Sequence, residues 1–142
     1  MRALFDVNVL IALFDPAHVH HDRAHDWLEE HQGLGWATCP ITQIGCIRIL
    51  SQAKYPNAIP VAEAMRRLKR AVSAPQHAFW ADEVSVLDPK YFREDRILSS
   101  RTVTDLYLLA LAVRNDGRLI TFDQGIAFKS IAQAKAKHLV VL

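Results

Sequence analysis

Three aspartates are the residues of this chain best placed to do chemistry. Asp6 ends a short apolar run, Asp105 opens a long one, and Asp123 follows a third. Apolar runs tend to be buried, and a buried carboxylate is costly unless it is paired, hydrogen-bonded or bound to a cation. No Lys or Arg lies within a few residues of Asp6 on its C-terminal side. Three such acids meeting at one edge of a sheet would form a site for a hard cation such as Mg²⁺ or Mn²⁺.

A cation held by these carboxylates could activate a water and neutralise charge on a scissile phosphate. Without it, the clustered acids would repel one another and raise the pKa of at least one. Each acid alone also has a structural interpretation. Asp105 suits the start of a helix, and Asp123, two residues before Gly125, suits a turn. The sequence offers Asp6 no comparable capping role, and this favours a joint site.

The elements that must position these acids alternate along the chain. Strands are predicted at residues 3–5, 36–39, 77–80, 84–87, 119–122 and 139–142. Helices are predicted at residues 9–14, 21–31, 40–50, 60–72, 104–115 and 126–135, with Thr104 as a cap and residues 88–103 irregular. Such alternation predicts an α/β fold with a mostly parallel sheet and helices on both faces. Sites in these sheets form beyond the carboxyl ends of the strands, where the three acids are expected to meet.

Composition predicts one globular domain spanning residues 1–142, with 51% hydrophobic and 23% charged residues. The net charge of +2 permits a polyanionic partner without requiring one. Cys39 and Cys46 lack the spacing of a metal knuckle and are expected to be reduced core residues. No secretory signal or bilayer-spanning run is visible, so we expect a cytoplasmic protein without membrane contact.

Three motifs resemble those of PIN-domain proteins. They are residues 4–10, where Asp6 would be the first metal-binding acid, residues 104–112, which resemble the helix of the third acid, and residues 119–123, which resemble the late strand with the final acid. His20-His21 with Ala24, Trp27 and Leu28 fits the second helix of the toxin branch, the VapC-type ribonucleases.

The resemblance implies a three-layer PIN-like fold and an endoribonuclease dependent on Mg²⁺ or Mn²⁺, with Asp6, Asp105 and Asp123 as catalytic metal ligands. It also implies an RNA substrate, a homodimer, and inhibition by a small antitoxin protein. Around the acids, Asn8, Gln43 and Thr121 are candidates to orient the carboxylates or their bound waters. Asn8 and Thr121 are equally compatible with a purely local role in turns.

One departure keeps an alternative open. Family members commonly carry Glu where this chain has Gln43, so a second metal position would lack an expected carboxylate, and a PIN-like fold that only binds RNA or protein is the second interpretation. A third is a phosphohydrolase of the haloacid-dehalogenase kind, in which an acid follows the strand-ending aspartate by two residues. Asn8 occupies that position and cannot act as an acid.

Histidines and basic residues are the remaining candidates. His21 and His25 have i, i+4 spacing, but no suitably spaced third ligand joins them, so a solvated helix entrance is favoured over zinc. The basic run at residues 66–70 fits a solvated helix face better than an RNA-binding track. Arg48 and Arg101 lie closer in sequence to the acid-bearing segments and are the better candidates for phosphate contact.

Overall fold

The computed structural model describes residues 1–142 and contains one sheet of five strands, all parallel to their neighbours. The strands are β1 (Ala3–Phe5), β2 (Trp36–Thr38), β3 (His77–Phe79), β4 (Arg118–Thr121) and β5 (Leu139–Val141), in the spatial order β3-β2-β1-β4-β5. The first strand therefore lies at the centre of the sheet, between strands that follow it much later in the chain. Its register pairs Leu4 with Ala37 on one side and with Leu119 on the other.

Five α-helices cover the sheet. They are α1 (Val7–Phe14), α2 (His21–His31), α3 (Pro40–Leu50), α4 (Val61–Val72) and α5 (Val103–Arg114). Short 3-10 turns lie at Gln32–Leu34, Glu94–Arg96, Ser100–Thr102, Phe128–Ser130 and Ala136–His138. None of the helices is long and apolar enough to cross a bilayer.

Two hydrophobic cores sandwich the sheet and make it a three-layer fold. Successive side chains of a strand point to opposite faces, so Leu4 packs beneath α5 while Phe5 packs against α1 and α2. Helix α5 is buried from Leu106 through Ala112 because it lies under both the sheet and the loop around Tyr91. The predicted architecture is confirmed.

Helices α1 and α3 pack closely at Gly45. A Cβ atom at this position would lie 2.6 Å from Cγ2 of Val7, which is closer than carbon atoms can approach. Glycine therefore permits the contact, and Val7 directly follows Asp6. The close packing of the two helices thus helps fix the turn that carries the first acid.

The structure differs from the sequence prediction in three places. The strand predicted at residues 84–87 is absent, because Val84 packs singly into the core while Val86 and Leu87 stay exposed. The helix predicted at residues 126–135 is also wrong. This segment instead pairs with the loop before α5, through an antiparallel bridge between Phe92 and Ile131 and a hydrogen bond from Ala132 N–H to the Tyr91 carbonyl.

The third difference is the start of α5. The 3-10 turn Ser100–Thr102 leads directly into the helix, so Thr102 is the capping residue and Thr104 lies inside the first turn. Asp105 is consequently the third residue of α5, still within the turn whose free N–H groups favour a negative charge.

Candidate active site

Asp6 links the end of β1 to the start of α1. Its carboxylate caps the helix by accepting the Val7 N–H at 2.6 Å, and it also accepts the hydroxyl of Thr121 at 2.7 Å. From the sequence, Asp6 is expected to have no capping role, and this prediction is wrong. The residue is only 5% exposed. Burial raises the pKa of the Asp6 carboxyl, the Asp123 charge raises it further, and the two hydrogen bonds act in the opposite direction.

Thr121 connects three of the predicted residues. Besides donating to Asp6, its oxygen accepts the Asn8 side-chain amide at 3.3 Å and the Asp123 N–H at 3.0 Å. The side-chain oxygen of Asn8 (Oδ1) accepts the Phe122 N–H at 3.4 Å. Because Thr121 is completely buried, this network holds the ends of β1 and β4 in a fixed relation. Asn8 and Thr121 therefore orient the acid-bearing turns.

Asp105 approaches the other two acids from α5. Burial, the charges of Asp6 and Asp123, and a hydrogen-bonding contact with the Asp123 carboxyl together raise the pKa of its carboxyl to about 6, and burial is the largest of these causes. Such electrostatic influence falls with distance, so the three acids share one neighbourhood. The structure thus brings together the three residues that the sequence analysis proposed.

The acids carry no compensating positive charge. The ion pairs of the protein join Glu63 to Arg66 and Arg67, and Glu83 to Arg114, and none involves the three aspartates. In their present positions, no three His, Cys, Asp or Glu side chains form a group that could hold a metal ion. The site is therefore a cluster of mutually repelling carboxyls rather than a closed coordination cage.

Gln43 lies at the same edge of the sheet, but its side chain forms a hydrogen bond with Thr38 and not with the three acids. Its amide nitrogen donates to the Thr38 hydroxyl at 2.9 Å, and that hydroxyl also contacts Nε2 of His77 at 2.9 Å. Thr38 is completely buried at the end of β2, the strand next to β1. Thr38 was not among the predicted site residues, although it is the polar last residue of an apolar strand next to β1.

The two candidate arginines differ in position. Arg101 is exposed in the 3-10 turn that leads into α5, four residues before Asp105. Arg48 is exposed in the last turn of α3, about 12 Å along the helix axis from its first residue. The structure thus places Arg101 beside the acid-bearing helix start and Arg48 away from the sheet edge at which α3 begins.

Two of the histidines at the entrance to α2, the half-buried His21 and the exposed His25, fasten this helix to α1. The His21 ring bonds the Ala12 carbonyl through Nδ1 at 2.7 Å, and the His25 ring bonds the Leu13 carbonyl through Nε2 at 3.1 Å. Both carbonyls belong to the last turn of α1, where helical carbonyls lack partners of their own. On α4, Arg66 and Arg67 both pair with Glu63, so part of the basic run is engaged locally.

Comparison with known proteins defines the family. The family model for the PIN domain matches residues 3–134. Ribonuclease VapC44 from Mycobacterium tuberculosis is 50% identical over the whole of both chains. Ribonuclease VapC38 from the same organism is 42% identical over 99% of this chain and 96% of its own length. The chain belongs to the PIN-domain family, in its VapC-type ribonuclease branch.

A solved structure with the same fold supports the architecture. The chain is similar, with a TM-score of 0.64 and 16% sequence identity, to a chain in the crystal structure of VapBC2 from Rickettsia felis bound to a DNA fragment from its promoter. The match covers 100% of this chain and 99% of the other. At this low identity the similarity concerns the fold alone.

Proposed function

We propose that this chain is a Mg²⁺- or Mn²⁺-dependent endoribonuclease and the toxin of a toxin–antitoxin pair. The observation that carries the proposal is the convergence of Asp6, Asp105 and Asp123 at the carboxyl edge of the sheet, with no basic side chain paired to them. The names of its relatives, which are ribonucleases, support RNA as the substrate.

The acid cluster suits a hard divalent cation. Burying several carboxylates without a partner is unfavourable, and oxygen ligands are those that Mg²⁺ and Mn²⁺ prefer. Because the free acids are not arranged as a cage, the cation would have to draw them together. When bound, it would supply activation of a water and neutralisation of phosphate charge.

Hydrogen bonds within the chain hold the acids in position. The Val7 N–H and the Thr121 hydroxyl each hold one oxygen of Asp6, which fixes the direction of that carboxylate. Asn8 and the Asp123 N–H both bond the same threonine oxygen, so a displacement of one acid-bearing turn is resisted by the other. Arg101, exposed next to the start of α5, is the candidate for contact with an RNA phosphate.

Cleavage of a labelled single-stranded RNA by purified protein tests the activity. Cleavage should require Mg²⁺ or Mn²⁺, stop with EDTA, and be lost in Asp6→Asn and Asp105→Asn proteins that remain folded. Expression of the wild-type chain should also arrest bacterial growth, and both variants should relieve the arrest. Equal growth inhibition by the wild type and the folded variants would refute the assignment of these acids.

The proposed partners are RNA, a small antitoxin and a second copy of this chain, and the RNA substrate would place the protein in the cytoplasm. A neighbouring gene that encodes a DNA-binding segment and a flexible tail is the expected source of the antitoxin. Coexpression should yield a stable complex, and light scattering of the toxin alone should give the mass of a dimer.

A binding module without catalysis remains the second candidate because of Gln43. Its amide is engaged with Thr38 and adds no charge to the acid cluster. RNA binding without cleavage in the presence of Mn²⁺ would favour this candidate. The haloacid-dehalogenase alternative is wrong, since the chain belongs to the PIN-domain family.

A further inference from the structure

The His20 ring packs beside the acid-bearing edge of the sheet. It stacks on Phe122 with 4.6 Å between ring centroids and an interplanar angle of 29°. Phe122 immediately precedes Asp123, and its N–H donates to the Asn8 side chain. The loop between α1 and α2 thereby places an imidazole next to the turn that carries the final acid.

The backbone around His20 is held in place. Its N–H donates to Nδ1 of His18 at 3.0 Å, and the next residue, His21, bonds the Ala12 carbonyl. The ring nitrogens of His20, in contrast, have no hydrogen-bond partner in the protein, and the residue forms no side-chain cap on α2. The rings of His21, His25 and His31 each bond a backbone carbonyl.

This difference separates His20 from the structural histidines. Stacking on Phe122 orients the imidazole, while its polar edge remains available to a ligand. A donor held in place before binding loses little conformational entropy when it engages. Phe122 already covers part of the ring, and the His18 ring lies 5.8 Å away, so the nitrogen-bearing edge is the part best suited to a new contact.

We infer that His20 is an RNA-binding residue, whose ring nitrogen donates a hydrogen bond to a phosphate oxygen of the nucleotide next to the cleaved bond. This inference rests on the proposed ribonuclease function. Phosphate oxygens account for a large share of the hydrogen bonds that proteins make to nucleic acids, and such contacts fix the register of the strand. His20 would thus position the strand from the α1–α2 side of the cluster, while the acids act on the phosphodiester.

Replacement of His20 by Phe tests the contact, because it keeps an aromatic ring on Phe122 and removes both nitrogens. The Kd of a fluorescent single-stranded RNA should rise about tenfold, as expected for a lost hydrogen bond to a charged group. Binding is measured by anisotropy in the Asp105→Asn background, so that the RNA stays intact. In the otherwise wild-type protein, KM should rise while kcat changes little.

His31→Phe is the matched control. The His31 ring also stacks on an aromatic side chain, Trp27, at 4.2 Å, but it lies at the other end of α2. Its Kd should match that of the parent. An unchanged Kd in a folded His20→Phe protein would overturn the inference.

A second arm varies the RNA and identifies the group that His20 contacts. Methylphosphonate linkages, which remove the phosphate charge, are placed singly on either side of the cleaved bond. One of them should weaken binding to the protein that has His20 but not to the His20→Phe protein. If both linkages leave the Kd unchanged, the phosphate assignment is wrong. Failure of the wild-type chain to cleave any RNA, with the binding difference intact, would refute the proposed function and leave the His20 contact standing.

Discussion

The Thr121 hydroxyl donates to the Asp6 carboxylate across 2.7 Å, joining residues 115 positions apart in the sequence. The same threonine oxygen accepts hydrogen bonds from Asn8 and from the Asp123 backbone. A single buried hydroxyl thus links two of the three acids and orients the turns that carry them.

Replacing Thr121 by Val should destabilise the protein and reduce RNA cleavage. The change keeps the shape of the side chain but leaves one oxygen of the buried Asp6 carboxylate, the Asn8 amide and the Asp123 N–H without a partner, at a cost of about 1–3 kcal/mol each. Because the lost bond lowers the pKa of Asp6, that pKa should rise in the variant. Urea unfolding at pH 5 and pH 8 should therefore show the larger loss at pH 8. Thr121→Ser, which retains the hydroxyl, is the control, and equal stability of the Val and Ser proteins would contradict the prediction.

Replacing Asp105 by Asn should abolish cleavage and stabilise the metal-free protein. Folding raises the pKa of this carboxyl from 3.8 to about 6, so the folded state binds the proton more tightly than the unfolded state does. Wild-type stability should then fall as pH rises from about 4 to about 6 and stay low above that range. The variant lacks this decrease, and its Tm in EDTA at pH 7.5 should lie a few degrees higher. Asp26→Asn, at an exposed position of α2, should leave both the Tm and the pH profile unchanged.

Replacing Tyr55 by Phe should remove a hydrogen bond that holds the end of α1 and so destabilise the protein. The Tyr55 hydroxyl donates to Asp15, the buried residue that ends α1, and this bond is the main cause of the lowered pKa of Asp15. A lowered pKa gives stability that is present above the ordinary value of 3.8 and is lost as pH falls below it. We expect a loss of about 1–2 kcal/mol at pH 7 that shrinks toward pH 2.5. A loss that is the same at both pH values would show that the bond does not act through the Asp15 charge.

Replacing Gln43 by Glu should tighten Mn²⁺ binding in the absence of RNA. The residue follows β2 at the edge where the acids lie, so a carboxylate there adds a ligand charge to the cluster. Calorimetric titration of Mn²⁺ into both proteins measures the change. Unchanged affinity would mean that the side chain of residue 43 remains hydrogen-bonded to Thr38 and does not face the cation.

An antitoxin should inhibit by placing an Arg or Lys against the acids. The cluster has no cation partner of its own, and the guanidinium fork of Arg matches carboxylate geometry. Substituting that basic residue of the antitoxin by Ala should restore cleavage more than it weakens the complex. A complex structure in which the partner covers only the opposite edge of the sheet would contradict this.

The sequence predicted most of the fold because strands β1, β2 and β4 are short apolar runs separated by clear helices, and two of the acids, Asp6 and Asp123, follow β1 and β4. It could not predict the segment after Asp123, because Ala127, Ile131 and Ala134 recur at helical spacing and only the distant loop at Phe92 shows otherwise. The strand predicted near Val84 is wrong because only Val84 packs into the core, while Val86 and Leu87 stay exposed.

At the site, the residue types and strand ends predicted the three acids, and the PIN resemblance predicted their family. The cap on α1 could not be predicted because the apolar pattern places the start of that helix at residue 9, whereas it begins at Val7, directly after Asp6. The hydrogen bonds of Gln43 and the stacking of His20 depend on contacts between segments that are distant in sequence, and no local pattern indicates them.

The pairing of β1 with β4 also determines when the acid cluster can form during synthesis of the chain. Strand β4, with Thr121 and the last acid, is synthesised long after β1. At about 5–20 residues per second, the 115 residues that separate Thr121 from Asp6 take roughly 6–23 s to synthesise. A nascent chain therefore has no complete acid cluster until β4 has been made, and the acids of β1 and α5 wait for that strand before the cluster can form.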